Sequence, residues 1–259
     1  MERNIIEIRD LTTKFGNTIV HNKINLTIQK GDIYTILGKS GSGKSTILRE
    51  ILMLNENFTG TIKVLGTDIK KANDSEKDRV RKSWGVMFQA ASLFTSLTIG
   101  ENISIPLLEN TKLSKKMIEK IALFKLSLVG LERSVYEMYP SELSGGMRKK
   151  AALSRALILD PQILMLDEPT SGLDPVSAED FDNTIRNLNQ LLGLTVIIIT
   201  HDLNTFFNIA TRACILGDKK VLAEGNPNDI INLDDEWIKK MFFGERGIKF
   251  QWKQKQITP

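Results

Sequence analysis

The chain has 259 residues, 41% of them hydrophobic and 25% charged, and a formal net charge of +4, which is ordinary for a soluble globular protein and excludes a fibre or a disordered segment. The modest charge comes without a nucleic-acid-reading motif, so no nucleic-acid partner is expected. No apolar run approaches the roughly 18–20 residues of a membrane-spanning helix.

Met1-Glu-Arg-Asn-Ile-Ile-Glu-Ile8 lacks the basic-then-apolar layout of a secretory signal, so the chain is expected to stay where it is made. The single cysteine, Cys214, between Ala213 and Ile215, is expected as a buried thiol in the cytoplasm. Short apolar runs at Ile5–Ile8, Ile24–Ile28 and Ile33–Leu37 read as strands. A helix is predicted from Lys44 to about Leu54, with Ile47, Leu48, Ile51 and Leu52 on its buried face. From about Ala90 to Leu159 the texture is mainly helical, with an amphipathic stretch over Lys115–Leu128 and a helix over Met147–Leu159; this reads as an inserted helical subdomain, about 90–160. Strands return at Ile163–Leu166 and Val196–Ile199, joined by a crossover helix over Pro175–Leu192. A last helix is expected around Asp235–Phe243. The division expected is 1–228 for the main domain and 229–259 for a C-terminal helix and tail.

The strand ending at Leu37 feeds Gly38-Lys-Ser-Gly-Ser-Gly-Lys-Ser-Thr46, the phosphate-cradling pattern in its strand–loop–helix context. Gly38, Gly41 and Gly43 let the loop, with Lys39, Ser40 and Ser42, turn its N–H groups inward, and the new helix aims its positive end at the anion. Lys44 is expected on the β- and γ-phosphates, Ser45 on Mg²⁺, and Thr46 on the α-phosphate side. The apolar strand ending in Asp167-Glu168 supplies two carboxylates that strand alternation sends to opposite faces. Asp167 is expected at the metal, directly or through water, and Glu168 as the general base that polarises the attacking water.

With Leu143-Ser-Gly-Gly-Met147 about a hundred residues further on, the chain resembles an ATP-binding cassette domain over about residues 3–225. The resemblance implies an α/β fold: a phosphate-loop NTPase with a RecA-like core, an N-terminal antiparallel β-subdomain and an inserted α-helical subdomain. It implies ATP and Mg²⁺ as cofactors. Phe15 resembles the aromatic residue that stacks on adenine, and Gln89 the glutamine that senses Mg²⁺ and water. Asp174 resembles the acidic residue communicating across a dimer, and His201 the switch histidine at the γ-phosphate. Ser144, Gly145 and Gly146 precede a helix and so form a second anion site; in the family it closes on the nucleotide of another copy, which implies a head-to-tail homodimer. Met147 stands where the commonest signature has Gln, so any amide contact from that position is lost.

Tyr139–Ala156, Gly85–Thr98 and, more loosely, Trp237–Gly247 resemble the ATPase subunit of bacterial phospholipid transporters of the Mla type. That subfamily implies a separate integral membrane permease, a periplasmic MCE protein, a small cytoplasmic accessory subunit, and a peripheral location on the cytoplasmic face of the inner membrane. The alternatives are the ATPase of another importer or exporter, for amino acids or lipoproteins, and a soluble cassette protein; one phosphate loop and no sustained heptads argue against the last. Leu93, Phe94, Leu97 and Ile99 are either the permease's resting surface or subdomain core. In the tail, Arg246, Lys249, Lys253 and Lys255 with Phe250 and Trp252 are either solvated or a contact with another subunit or an anionic surface.

Overall fold

The computed structural model describes residues 4–243. The tail residues Arg246, Lys249, Phe250, Trp252, Lys253 and Lys255 lie outside them.

Two sheets organise the chain. The first is antiparallel and contains β1 (Asn4–Phe15), β2 (Thr18–Gln29), β4 (Phe58–Val64) and β5 (Thr67–Asp68) in the order β2-β1-β4-β5. The second contains β3 (Ile33–Gly38), β6 (Trp84–Met87), β7 (Ile163–Asp167), β8 (Thr195–Thr200), β9 (Arg212–Gly217) and β10 (Lys220–Gly225), in the order β10-β9-β3-β8-β7-β6. All its neighbours are parallel except the β9–β10 hairpin. The helices are α1 (Lys44–Ile51), α2 (Asp74–Arg81), α3 (Ile99–Asn110), α4 (Lys115–Leu128), α5 (Gly145–Ala156), α6 (Pro175–Leu192), α7 (Leu203–Ile209), α8 (Pro227–Ile231) and α9 (Glu236–Phe243).

The parallel strands are apolar throughout because both faces are covered. Ile163, Met165, Ile197 and Ile199 face the layer of α1 and the antiparallel sheet. Leu164, Leu166, Val196 and Ile198, one residue out of phase, face α3, α4, α5 and α6. A third cluster joins Leu37 and Ile215 to Phe206, Ile238 and Phe242, so α9 packs onto the sheet end. Cys214 is fully buried, which pushes its thiol up to about 12.

The crossover helix has the predicted bounds: Asp174 caps its first turn and Gly193, at φ 64, ends it. The helix after the glycine loop stops at Ile51, earlier than predicted. The Met147–Leu159 helix instead begins at Gly145, capped by Ser144, and ends at Ala156. The apolar cluster after Gln89 divides. Ile99 is fully buried and Leu93 packs on the core, whereas Phe94 is 55% exposed, so only part of that cluster is a surface.

Candidate nucleotide-binding site

Every loop that carries a predicted site residue, apart from those at Phe15 and Ser144, leaves the carboxyl end of a parallel strand, the edge where open α/β sheets bind ligands. The glycine loop follows β3, Gln89 follows β6, Glu168 follows β7, and His201 follows β8. They meet at a cleft of about 810 Å³ lined by Phe15, Val20, Gly38, Lys39, Ser40, Gly41, Gly43, Lys44, Ser45, Thr46, Gln89, Glu168, His201 and Met241. Phe15 arrives on β1, just before the two-residue turn Gly16-Asn17, and is 48% exposed.

Lys44 donates to the carbonyls of Gly38 at 2.8 Å and Lys39 at 3.1 Å. Burial lowers its pKa, opposed by the nearby Glu168 and Asp167 carboxylates. Ser45 Oγ donates to Asp167 Oδ1 at 3.3 Å; burial raises the Asp167 carboxyl, and this hydrogen bond partly offsets the rise. A hydroxyl beside a carboxylate is a hard-oxygen pair that suits Mg²⁺. Among the described residues no cluster of three acidic, His or Cys side chains could hold a metal.

Strand alternation does not place Glu168. β7 ends at Asp167, and Glu168 turns away at φ 48, a left-handed conformation that costs a residue with a side chain about 1–3 kcal/mol. It is held there by its N–H to Ile199 O at 2.8 Å. Its carboxylate accepts from His201 Nδ1 at 2.9 Å and Thr200 Oγ1 at 3.3 Å. The second nitrogen of the largely exposed His201 ring is thus left open towards the cleft. Gln89 Nε2 reaches Ser171 Oγ at 3.4 Å, and the loop continues through Ala91 and Ser92 at φ 59 and 49.

Several residues missed by pattern reasoning hold these loops. Lys149, buried on α5, donates to Gln89 O and to Glu168 O, the latter at 3.4 Å, and Arg155 donates to Ala91 O at 3.1 Å. Burial lowers the pKa of both cations. Asn102, fully buried, accepts from Phe94 N and donates to the carbonyls of Phe94, Leu97 and Thr98. A basic or amide residue on an otherwise apolar helix face was the only signal available for them.

Of the predicted site residues, Ser42, Asp167, Ser144, Gly145, Gly146 and Asp174 do not line the cleft. Ser144 Oγ caps α5 through Met147 N at 3.2 Å. Asp174 accepts from the N–H groups of Val176 and Ser177 and from Ser177 Oγ, which lowers its pKa. A Cβ on Gly145 or Gly146 would make only ordinary contacts, 3.4 Å to Leu173 and 3.6 Å to Ser177. Two glycines in a first helical turn are therefore not demanded by packing within the chain.

A glycine loop wrapped between a parallel strand and a helix, with Glu168 in the same cleft and Asp167 hydrogen-bonded to the loop's Ser45, defines a phosphate-loop nucleotide-binding protein. The family model described as ABC transporter matches residues 21–171, and the chain belongs to that family. It is 40% identical over 245 residues to the intermembrane phospholipid transport system ATP-binding protein MlaF of Haemophilus influenzae, covering 95% of this chain and 92% of that one. It is 37% identical over 243 residues to the probable ribonucleotide transport ATP-binding protein mkl of Mycobacterium bovis, covering 94% and 67%. Among solved structures, the dimeric bacterial ABC transporter cassette MJ0796 superposes with a TM-score of 0.77 at 32% identity, covering 86% of this chain and 98% of that one. A post-hydrolysis dimer of that cassette, bound to ADP and Pi, gives 0.76.

Proposed function

We propose that the chain is the ATP-hydrolysing subunit of a bacterial transporter that moves phospholipid through a separate permease. The observation that carries this reading is the 40% identity to MlaF along nearly the whole of both chains, joined to a cleft with phosphate-binding and acid–base groups in place.

Phe15 stacks on adenine, the glycine loop and Lys44 hold the phosphates, and Glu168, already hydrogen-bonded to His201, takes the proton from water attacking the γ-phosphate in line. Ser45 and Asp167, with Gln89 beside them, are the donors offered to Mg²⁺, which when bound would neutralise charge on the transferred phosphoryl group. His201 presents its open nitrogen to the γ-phosphate. The remaining donors come from a second copy. Its Ser144, Gly145 and Gly146 and the α5 dipole close over the nucleotide, which explains glycines that no neighbour in the same chain requires. Two chains thus close head to tail on ATP and reopen on product release, with Asp174 at the junction.

No helix among the described residues is long and apolar enough to cross a membrane. The reading places the chain on the cytoplasmic face of the inner membrane, with Phe88 and Phe94, 40% and 55% exposed, as apolar contacts for the permease. A periplasmic MCE protein and a small cytoplasmic accessory subunit complete the assembly. Residues 1–228 form the cassette, with the helical insertion at about 90–160, and 229–259 form an appended segment.

The test is a mild-detergent pull-down of the tagged chain from its native membranes, with mass spectrometry of proteins and lipids. Recovery of a permease, an MCE-type subunit and phospholipid is expected. A different permease would replace the cargo, and ribosomal or DNA-bound partners would overturn the transporter reading.

A further inference from the structure

The chain has two histidines. His201 stands in the cleft, whereas His21, Thr13 and Glu50 are each fully buried behind the glycine loop. We propose that these three residues are positioning residues that hold the phosphate loop in register with the Phe15 hairpin, and so set the nucleotide affinity of the site. This rests on the nucleotide-binding reading above.

Thr13 and His21 are direct cross-strand partners on β1 and β2. The Thr13 hydroxyl donates to Glu50 Oε1 at 2.6 Å. Thr13 Oγ1 is also hydrogen-bonded to His21 Nδ1 at 2.9 Å. His21 Nε2 lies 3.1 Å from the Gly43 carbonyl, which can only accept, so Nε2 donates. Glu50 Oε2 lies 3.6 Å from Nδ1. Asn55 Nδ2 also donates to Glu50 Oε1, at 3.2 Å. Oε2 has no hydrogen-bond partner among the described residues, and Glu50 borders a cavity of about 10 Å³ with Met53, Asn55 and Phe58.

Apolar residues of similar volume often replace such a buried polar group without loss of stability, so the fold alone gives little reason for it. Its location gives one. Across a trans peptide the carbonyl and the next N–H point in opposite directions. Holding the Gly43 carbonyl towards His21 therefore aims the Lys44 N–H the other way, to the side where a phosphate binds. The same carbonyl accepts from Thr46 N and Ile47 N at 3.0 and 3.1 Å, starting α1. Gly43 has no alternative residue here: its φ is 95, and a Cβ would lie 2.4 Å from His21 Nε2. Phe15 follows Thr13 by two residues on β1, and Glu50 sits on α1. One hydrogen-bonded line thus fixes the adenine platform, the loop and its helix to each other.

The experiment measures Mg·ATP binding by the full chain with a fluorescent ATP analogue, alongside thermal unfolding and steady-state ATPase. His21→Leu is expected to weaken binding about tenfold or more and to raise KM with little change in kcat. His21→Gln, which keeps a donor for the Gly43 carbonyl, should recover binding to within about threefold. A folded His21→Leu chain that binds within twofold of wild type overturns the proposal, as does equal weakening in the Leu and Gln variants. If His21→Leu does not fold, Thr13→Val decides: it keeps the shape and breaks the line, and undiminished binding overturns the proposal. Failure of wild type to bind, or undiminished binding by Lys44→Ala, would overturn the nucleotide-site reading itself.

Discussion

Lys149 offers the sharpest link between a buried contact and turnover. Its ammonium bridges the Gln89 and Glu168 carbonyls, in the two loops whose side chains line the cleft, yet Lys149 itself does not line it. Lys149→Met keeps the length of the side chain and removes the donors. A hydrogen bond from a charged group is worth about 1.5–3 kcal/mol, while relief of the ammonium's desolvation offsets part of that loss in overall stability. The offset does not restore the position of the Glu168 backbone, already in a left-handed conformation. If that energy is lost only on reaching the transition state, kcat falls about tenfold to a hundredfold at 1.4 kcal/mol per tenfold. The assay is steady-state ATPase activity with separate titration of Mg·ATP binding. Affinity should stay within about threefold, because no contact with nucleotide is removed. A folded variant with kcat within twofold of wild type, or with affinity falling in step with kcat, would refute the reasoning.

Three further outcomes are expected. Gly146→Ala should leave the monomer as stable or up to about 1 kcal/mol more stable, since alanine favours the helix and the added carbon meets Ser177 only at 3.6 Å, while ATPase activity collapses; retained activity would show that no second chain approaches there. Asp182, buried and accepting from Thr205 Oγ1 at 3.2 Å, has its carboxyl raised by burial to about 7 from 3.8. The folded state therefore binds a proton more tightly than the unfolded state, and stability falls as pH rises between those values, by at most about 4 kcal/mol. Asp182→Asn should flatten that fall in urea unfolding at pH 5 and 8, and an unchanged pH dependence would contradict the assignment. Phe94→Asp should abolish co-purification with the permease and leave ATP binding intact, because Phe94 is exposed and is not among the residues lining the cleft; normal co-purification would remove Phe94 from the docking surface.

The parts legible in the sequence were those fixed by local chemistry. The glycine loop between an apolar strand and an amphipathic helix could be read directly, as could α6, whose Asp174-Pro175 start and Gly193 end are both local signals. The pairing of β1 with both β2 and β4 was not legible, because it depends on register across distant segments. Lys149, Asn102 and His21 were missed for a related reason. Charged and amide residues are usually solvated, and only the tertiary structure shows that these three are buried against loop carbonyls. Glu168 was expected at the strand's end, but its orientation depends on a left-handed backbone angle that strand periodicity cannot supply.

The most direct test of a site assembled from two chains is the mass of the Glu168→Gln variant in solution with Mg·ATP, measured by light scattering while ADP production is followed. The account predicts twice the 29.1 kDa chain mass with ATP bound and essentially no ADP formed. A 29.1 kDa species with ATP bound, or turnover near the wild-type rate, would contradict it.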